Sequence, residues 1–223
     1  EIFTGGGRDM HEGGFINICL VYEKDILIES KLLALNSLLR EKLSSLRLKY
    51  SKDESGEHWV DEQVDFKKLE SILSEFNGMF YLTIDITGSL LNIDIECFSI
   101  DVFREKEFNS IRITIPWYEL FENNHKNWSG QLLSDEIIRI LAIIYKETKY
   151  SYAICGNEAE ADYSPVEFKR RIENGAWEYD TICVLPKESK LEVYKGEYGV
   201  DGMSKQEKEI INLLLQSEKK WIG

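Results

Sequence analysis

The sequence predicts an α+β protein with a single domain, in which an antiparallel or mixed β-sheet has helices packed mainly on one face. Several short segments alternate between apolar and polar residues, which indicates half-buried strands. Other segments carry apolar residues three and four positions apart, which is typical of amphipathic helices. Residues 15–22 are apolar on both faces, as a central strand covered from both sides should be.

The first half of the domain, residues 15–122, continues from this strand into two predicted helices. Apolar residues recur at helical spacing over Ile28–Leu48 and again over Asp65–Phe76. The polar segment at 50–64 between them is interpreted as an exposed loop. Residues 116–122 are expected to form a helical turn at the end of this half.

A β-hairpin is the most specific local pattern in the sequence. Gly88-Ser89 separate two alternating runs, and a two-residue loop with glycine first is typical of a type II′ turn. Residues 111–115 alternate as well and supply a neighbouring strand, with Arg112 on its polar face. The register set by the turn pairs the polar residues as follows: Asp85 with Asn92, Thr83 with Asp94, and Tyr81 with Glu96.

The second half of the domain, residues 131–223, combines three helices with short strands. Ser134 is expected to cap a helix that is apolar nearly all round and is therefore central. Residues 164–167 form a capping box that opens a short helix, and residues 204–207 repeat the pattern before a last helix. Strands are predicted over Tyr150–Cys155, Trp177–Leu185 and Leu191–Tyr194.

Two further segments bear on the domain organisation. Residues 1–14 begin with a glycine-rich stretch that lacks an initiator methionine, so we interpret them as a disordered leader or as residues added for expression. Residues 123–130 are polar, but the segment is too short and too rich in large side chains to be a flexible linker. We therefore expect residues 15–223 to fold as one domain with two halves.

The charge of the chain restricts its partners. The 40 acidic and 27 basic residues give a net charge of −13. Such a field repels the phosphate backbone of DNA and anionic lipid, and it attracts basic proteins. No apolar run reaches the roughly 18 residues that span a bilayer. We therefore predict a basic protein partner and neither direct DNA binding nor membrane insertion, and the oligomeric state is left open.

Motifs for catalysis, metal binding and cofactor binding are missing from the sequence. It has no G-x-S-x-G elbow, no phosphate-binding glycine loop and no zinc pattern, and its three histidines lie in polar, loop-like segments. The four cysteines are widely spaced within apolar runs, which is typical of reduced thiols in a cytoplasmic protein. We therefore predict no catalytic residue, no metal site, no cofactor and a cytoplasmic location.

Carboxylates and tryptophans are the candidate functional residues. Some of the carboxylates share the polar face of the predicted hairpin, and others follow a strand end, where loops hold functional groups on a rigid scaffold. Tryptophan is enriched where proteins bind proteins. The residues predicted to bind a partner are Asp85, Asp94, Glu96, Trp128, Glu158, Glu160, Asp162 and Trp177.

Two functional hypotheses follow from these features. The leading one is a non-catalytic acidic binding protein that neutralises a basic protein partner, such as an immunity protein against a bacterial toxin or an inhibitor of a nucleic-acid enzyme. The alternative is a metal-dependent hydrolase or nuclease that uses the clustered carboxylates. The alternative requires at least two carboxylates that converge in a concave pocket, whereas a binding surface should be open and broad.

Overall fold

The computed structural model describes residues 14–74, 81–121, 130–175, 182–196 and 206–212. The strands in this part of the chain are β1 Phe15–Glu23, β2 Leu43–Ser51, β3 Trp59–Val64, β4 Leu82–Gly88, β5 Cys97–Arg104, β6 Phe108–Pro116, β7 Tyr152–Asn157, β8 Ile182–Lys187, β9 Lys190–Gly196 and β10 Gln206–Asn212. The α-helices are α1 Ile28–Leu39, α2 Phe66–Ser74, α3 Trp117–Phe121, α4 Gly130–Thr148 and α5 Pro165–Glu173.

The described strands form one sheet in the order β10-β9-β8-β7-β1-β6-β5-β4-β2-β3, and all neighbouring pairs are antiparallel. The apolar strand predicted at residues 15–22 is β1, which pairs with β6 on one side and with β7 on the other. Its residues from Ile16 to Tyr22 are all buried. The prediction of a central, doubly covered strand is therefore confirmed.

The described helices cover the two faces of the sheet unequally. Ile16 and Ile18 point into the main core, which also contains apolar residues of α1, α2, α3 and α4. Cys19 and Val21 point to the opposite face, where they pack with Phe168 of α5 and with side chains of β7 and β8. The predicted α+β class, with helices mainly on one face, is confirmed.

The long predicted helix over Ile28–Leu48 is wrong in its second part. Helix α1 ends at Leu39, a single 3₁₀ turn follows at Arg40–Lys42, and β2 then pairs with β3 and β4. The expected loop at 50–64 accordingly contains β3. Leu46 and Leu48 are both buried, and their spacing also fits a strand with a period of two. The backbone N–H and C=O groups of β2 are hydrogen-bonded to β3 and β4 on either side. Pairing within the sheet therefore overrides the helical spacing of the apolar residues.

The predicted hairpin register is also wrong. Strand β4 pairs with β5 rather than with residues 90–96, so that Asp85 lies opposite Ser99. Residues 89–96 form the connecting loop, which is closed by reciprocal backbone hydrogen bonds between Leu90 and Ile93 of 3.0 and 2.9 Å. The alternating apolar residues of this segment fill the core from a loop, because Leu90, Ile93 and Ile95 are buried.

Three helix predictions in the second half have different outcomes. Helix α4 begins at Gly130, so Ser134 lies within the helix, where it is buried, and is not its cap. The predicted N-cap of α5 at Ser164 is confirmed, because the Ser164 hydroxyl accepts a hydrogen bond from the backbone N–H of Glu167 at 3.4 Å. The last predicted helix is wrong over Gln206–Asn212, which form β10 and pair with β9.

Several predictions fall on residues outside the described ranges. They concern the leader before Gly14, the boundary segment 123–129, the cap at Ser204, and the candidate residues Trp128 and Trp177. Within the described ranges, Tyr150–Cys155 and Leu191–Tyr194 coincide with β7 and β9, and the predicted strand over Trp177–Leu185 is present as β8 from Ile182 onward.

Candidate functional site

Five neighbouring strands, β6, β5, β4, β2 and β3, present polar side chains on the face of the sheet opposite the main core. The register places Thr114 opposite Ser99 and Arg112 opposite Asp101, and residues that pair directly across antiparallel strands share one face. We call this surface the open face. It is formed by Arg47, Lys49, Asp61, Thr83, Asp85, Ser99, Asp101, Phe103, Arg112 and Thr114.

Cross-strand ion pairs organise the charges of the open face. Lys49 Nζ lies 2.6 Å from a carboxylate oxygen of Asp85. Arg47 binds Asp61 through two hydrogen bonds of 2.6 and 2.8 Å, and this contact lowers the pKa of the Asp61 carboxyl below its ordinary value. Because these pairs are exposed, each contributes little to folding stability and can be exchanged for a partner's charges at little cost.

Arg112 stands on β6, at the border of the open face, and connects this face to the loop beside it. Its guanidinium lies 3.3 Å from Asp101 and 3.8 Å from Glu160, and it stacks 4.5 Å from the centre of the Phe103 ring. The Thr83 hydroxyl donates to Asp101 at 2.7 Å. Asp101 is therefore well satisfied within the protein, whereas the contact of Glu160 with Arg112 is long.

Aromatic side chains mark the rim of the open face. Phe15 lies at one border and is 47% exposed. Trp59 and Tyr81 lie at another corner, are 55% and 50% exposed, and stack on each other with ring centres 6.1 Å apart. Half-exposed aromatic rings of this kind supply contact area at a small cost in side-chain entropy.

The segment that follows β7, residues 157–162, carries three of the predicted carboxylates and is called the acidic loop below. Glu158, Glu160 and Asp162 are all exposed on it. The Glu158 N–H donates to the Phe15 carbonyl at 2.8 Å, and Glu158 adopts a left-handed backbone conformation with φ of 53°. This backbone is uncommon for a residue other than glycine and turns the loop across the open face.

The acidic loop is anchored to the sheet beneath it. The Ala159 carbonyl accepts hydrogen bonds from the Asn17 side-chain amide at 3.1 Å and from the Cys19 thiol at 3.4 Å. At its far end the Tyr152 hydroxyl donates to the Tyr163 carbonyl at 2.6 Å. These bonds fix the backbone, so the loop presents its carboxylates from a defined position.

A groove runs along the junction between the acidic loop and the open face. Its central hollow has a volume of about 440 Å³. Two further hollows adjoin it. One shares Arg112 and Glu160 with the central hollow, and the other shares Phe15 and Thr114 with it. The central hollow is lined by Phe15, Asn17, Asp101, Arg112, Thr114, Glu158 and Glu160.

The structure separates the predicted carboxylates into two groups. Asp85 lies on the open face, and Glu158, Glu160 and Asp162 lie beside the groove at its edge. Asp94 and Glu96 instead lie in the loop 89–96, where the Glu96 N–H donates to the buried Glu119 carboxylate at 2.8 Å. The predicted clustering of Asp94 and Glu96 with Asp85 is therefore wrong, because it depended on the hairpin register.

Sequence reasoning missed several groove residues. The sequence places Phe15 and Asn17 only in a buried strand, although Asn17 is the single amide within the apolar run of residues 15–22 and is a usable signal. Asp101 and Phe103 could be placed only once the pairing of β5 with β6 was known.

No group of three or more His, Cys, Asp or Glu side chains within the described ranges could hold a metal ion. None of the described helices combines the length and apolar character needed to cross a membrane.

A broad sheet face with exposed aromatic rings and exchangeable ion pairs is typical of a protein that binds another macromolecule, and the fold and site place this chain in that class. The chain belongs to the Immunity protein 64 family, whose model matches residues 15–206. It is an immunity protein and its partner is a toxin, so the leading hypothesis from the sequence is confirmed at this level.

Comparisons with other proteins gave weaker similarities. The chain is similar to one in the crystal structure of the toxic C-terminal tip of CdiA from Pseudomonas aeruginosa in complex with immune protein, with 14% identity and a TM-score of 0.46 over 67% of this chain and 89% of that one. It is also similar to a Pseudomonas aeruginosa T6SS protein, with 10% identity and a TM-score of 0.35 over 64% of this chain and 41% of that one. The comparison with curated proteins found no match.

Proposed function

We propose that this immunity protein binds its toxin through the groove between the acidic loop and the open face, and that the bound toxin surface is basic. The observation that carries the proposal is the exposure of Glu158, Glu160 and Asp162 on a loop whose backbone is fixed beside the groove. Carboxylates held in place in this way lose little entropy when they bind a cation.

The charge of the chain supports the same proposal. A net charge of −13 accelerates the encounter with a basic protein and disfavours acidic competitors. Around the groove, Phe15 and Phe103 provide apolar contact next to the charges. Aromatic anchors surrounded by complementary charge are the usual composition of a tight interface.

The proposed mode of action is steric blockage of the toxin in the cytoplasm. The open face extends over five strands, which is broad enough to cover a catalytic surface on a partner of similar size. A cytoplasmic location is supported by the cysteines, all four of which are thiols and not disulfides.

The experiment pairs charge reversals at the groove with charge reversals elsewhere. The probe is the cognate toxin domain, to be sought first in the genes next to that for this protein, and affinity and association rate are measured by biolayer interferometry. Glu160→Lys with Asp162→Lys should weaken binding by about ten- to a hundredfold, because two attractive contacts become repulsive. The matched control is Glu70→Lys with Glu147→Lys, since both residues are exposed on helices of the main core face.

Salt dependence provides the second readout. Association of the wild type should slow as salt is added, and the groove variant should show a flatter dependence because it has lost part of the steering charge. If the groove variant keeps its affinity, or if the helix-face control loses as much affinity as the groove variant, the groove is refuted as the toxin-binding site. An affinity indifferent to salt would refute the basic partner.

A further inference from the structure

Asn17 holds an unsatisfied hydrogen-bond acceptor at the floor of the groove. Its side chain is 6% exposed, and its amide nitrogen donates to the Ala159 carbonyl, which fixes the orientation of the amide. The amide oxygen has no hydrogen-bond partner among the described residues. A buried acceptor left without a donor costs about 1–3 kcal/mol, so such atoms call for a specific explanation.

Thr114 places a second unsatisfied atom beside the first. Thr114 lies directly opposite Asn17 in the pairing of β1 with β6, and both residues line the central hollow. Its hydroxyl oxygen also has no partner within the described ranges. Two residues that line the hollow thus each carry an oxygen atom without a donor within the described ranges.

The charges around the hollow indicate which kind of donor fits. Three carboxylates and one guanidinium line it, which leaves a net charge of −2. Asp101 is already bound by Arg112 and Thr83, so the uncompensated charge belongs to Glu158 and Glu160. A cation that carries several N–H groups satisfies both the carboxylates and the buried oxygens.

We propose that the central hollow is a socket for one basic side chain of the toxin, a lysine ammonium or an arginine guanidinium. The inference rests on the proposed function, because it names one contact within that interface. In the socket the cation donates to Asn17 Oδ1 and replaces the long contact between Arg112 and Glu160 with a shorter one to Glu160. The aliphatic stem of the side chain packs on the exposed ring of Phe15.

The dimensions of the hollow agree with this occupant. A volume of about 440 Å³ is far more than the roughly 30 Å³ that one water molecule occupies in the liquid. The described residues contain no group of three carboxylates, histidines or cysteines placed to hold a metal ion. A long side chain with a charged end therefore fits both the space and the chemistry.

The first test does not require the toxin. The ¹⁵N-labelled protein is titrated with N-acetyl-lysine-methylamide and N-acetyl-arginine-methylamide at constant ionic strength, and the side-chain amide signals of Asn17 are followed by NMR. The neutral norleucine derivative is the matched probe. Both cations should shift the Asn17 signals, norleucine should not, and the stronger shift identifies lysine or arginine as the preferred occupant.

Internal controls separate the socket from general attraction to an acidic protein. Asn109 is buried and bonds to the carbonyls of Lys24 and Ile26, so its amide signals should not move. Glu158→Asn keeps a residue that tolerates the left-handed backbone and removes the carboxylate, so this variant should fold and lose most of the Asn17 shift. Glu147→Gln, on the helix side, should retain the shift.

The second test uses the toxin domain and distinguishes the two proposals. We expect Glu158→Asn to weaken toxin binding by about tenfold, as the loss of one charged contact does. One possible result is that Glu160→Lys with Asp162→Lys weakens toxin binding while no cation shifts the Asn17 signals. This result would overturn the socket and leave the groove as the binding surface. A toxin indifferent to all groove variants would overturn the proposed function and, with it, the toxin as the occupant of the socket, even if free cations shift the Asn17 signals.

Discussion

Gly88 provides the sharpest test of the fold, and we predict that Gly88→Ala strongly destabilises it. Gly88 ends β4 and has a φ of 139°, a conformation that residues with a side chain rarely adopt. A Cβ atom at this position would lie 2.3 Å from the Lys42 carbonyl oxygen and 2.8 Å from the Leu43 Cα. Both atoms belong to the backbone of a neighbouring segment of the same chain, so they cannot turn away as a flexible side chain would.

The magnitude follows from two terms. A residue with a side chain held in such a backbone conformation costs about 1–3 kcal/mol. Forcing a methyl group into a space already filled by backbone costs a further 1–3 kcal/mol or so. The free energy of unfolding should therefore fall by about 2–6 kcal/mol, and with a slope of about 3 kcal/mol per molar urea the midpoint should fall by about 0.7–2 M.

Gly175 supplies the control, because it is a glycine with positive φ at which a side chain meets no steric clash. It follows α5 with a φ of 73°, and a Cβ atom there would meet nothing within 4 Å. Gly175→Ala should cost about 1 kcal/mol, or about 0.3 M in the urea midpoint. Equilibrium unfolding is followed by the fluorescence of the five tryptophans. If Gly88→Ala loses no more stability than Gly175→Ala, the close approach of Gly88 to the chain at Lys42 is refuted.

Two further predictions concern polar contacts. Glu119→Ala should lower the free energy of unfolding by about 1–3 kcal/mol, because the N–H of Glu96 loses its buried acceptor. Urea titration measures this change, and an unchanged midpoint would contradict the hydrogen bond. Ser164→Ala should cost about 0.5–1 kcal/mol by removing the cap of α5, with loss of amide protection in the first turn as the readout.

Asp53 predicts a pH dependence. Hydrogen bonds from Ser55, Glu57 and His58 hold the pKa of Asp53 well below its ordinary value, so its stabilising effect is present above pH about 4 and is lost as the pH falls further. Melting temperatures of Asp53→Asn and wild type should differ most at pH 7, and the difference should shrink steadily as the pH falls below about 4 toward the lowered pKa. A difference that stays constant below pH 4 would contradict the prediction.

Local sequence predicted the elements whose signals do not depend on distant partners. The apolar run of β1, the alternation of β6 and the N-cap of α5 are all present as expected. Each of them is specified by a short-range pattern, either a period of two or a cap that closes within four residues. These elements fixed the α+β class without any knowledge of the strand order.

The site was only partly predictable for the same reason. Glu158, Glu160 and Asp162 were identified because an acidic run follows a strand end, which is a local signal. Asp94 and Glu96 were misplaced because the hairpin register was inferred from Gly88-Ser89 alone. Gly88 is required because the backbone at Lys42 and Leu43 packs directly against it, and these residues lie more than forty positions earlier in the chain.

By itself the sequence determined the class of the fold, the acidic character of the protein and the position of the acidic loop, because composition and short-range periodicity are properties of the chain alone. The tertiary structure decided the order and register of the strands, and with them the groove. Asn17, Thr114 and Glu160 are distant in sequence, and they share one hollow only because β1 pairs with β6 and the acidic loop is bonded to Asn17. Long-range pairing of this kind is selected by the burial of the whole sheet, which no local pattern encodes.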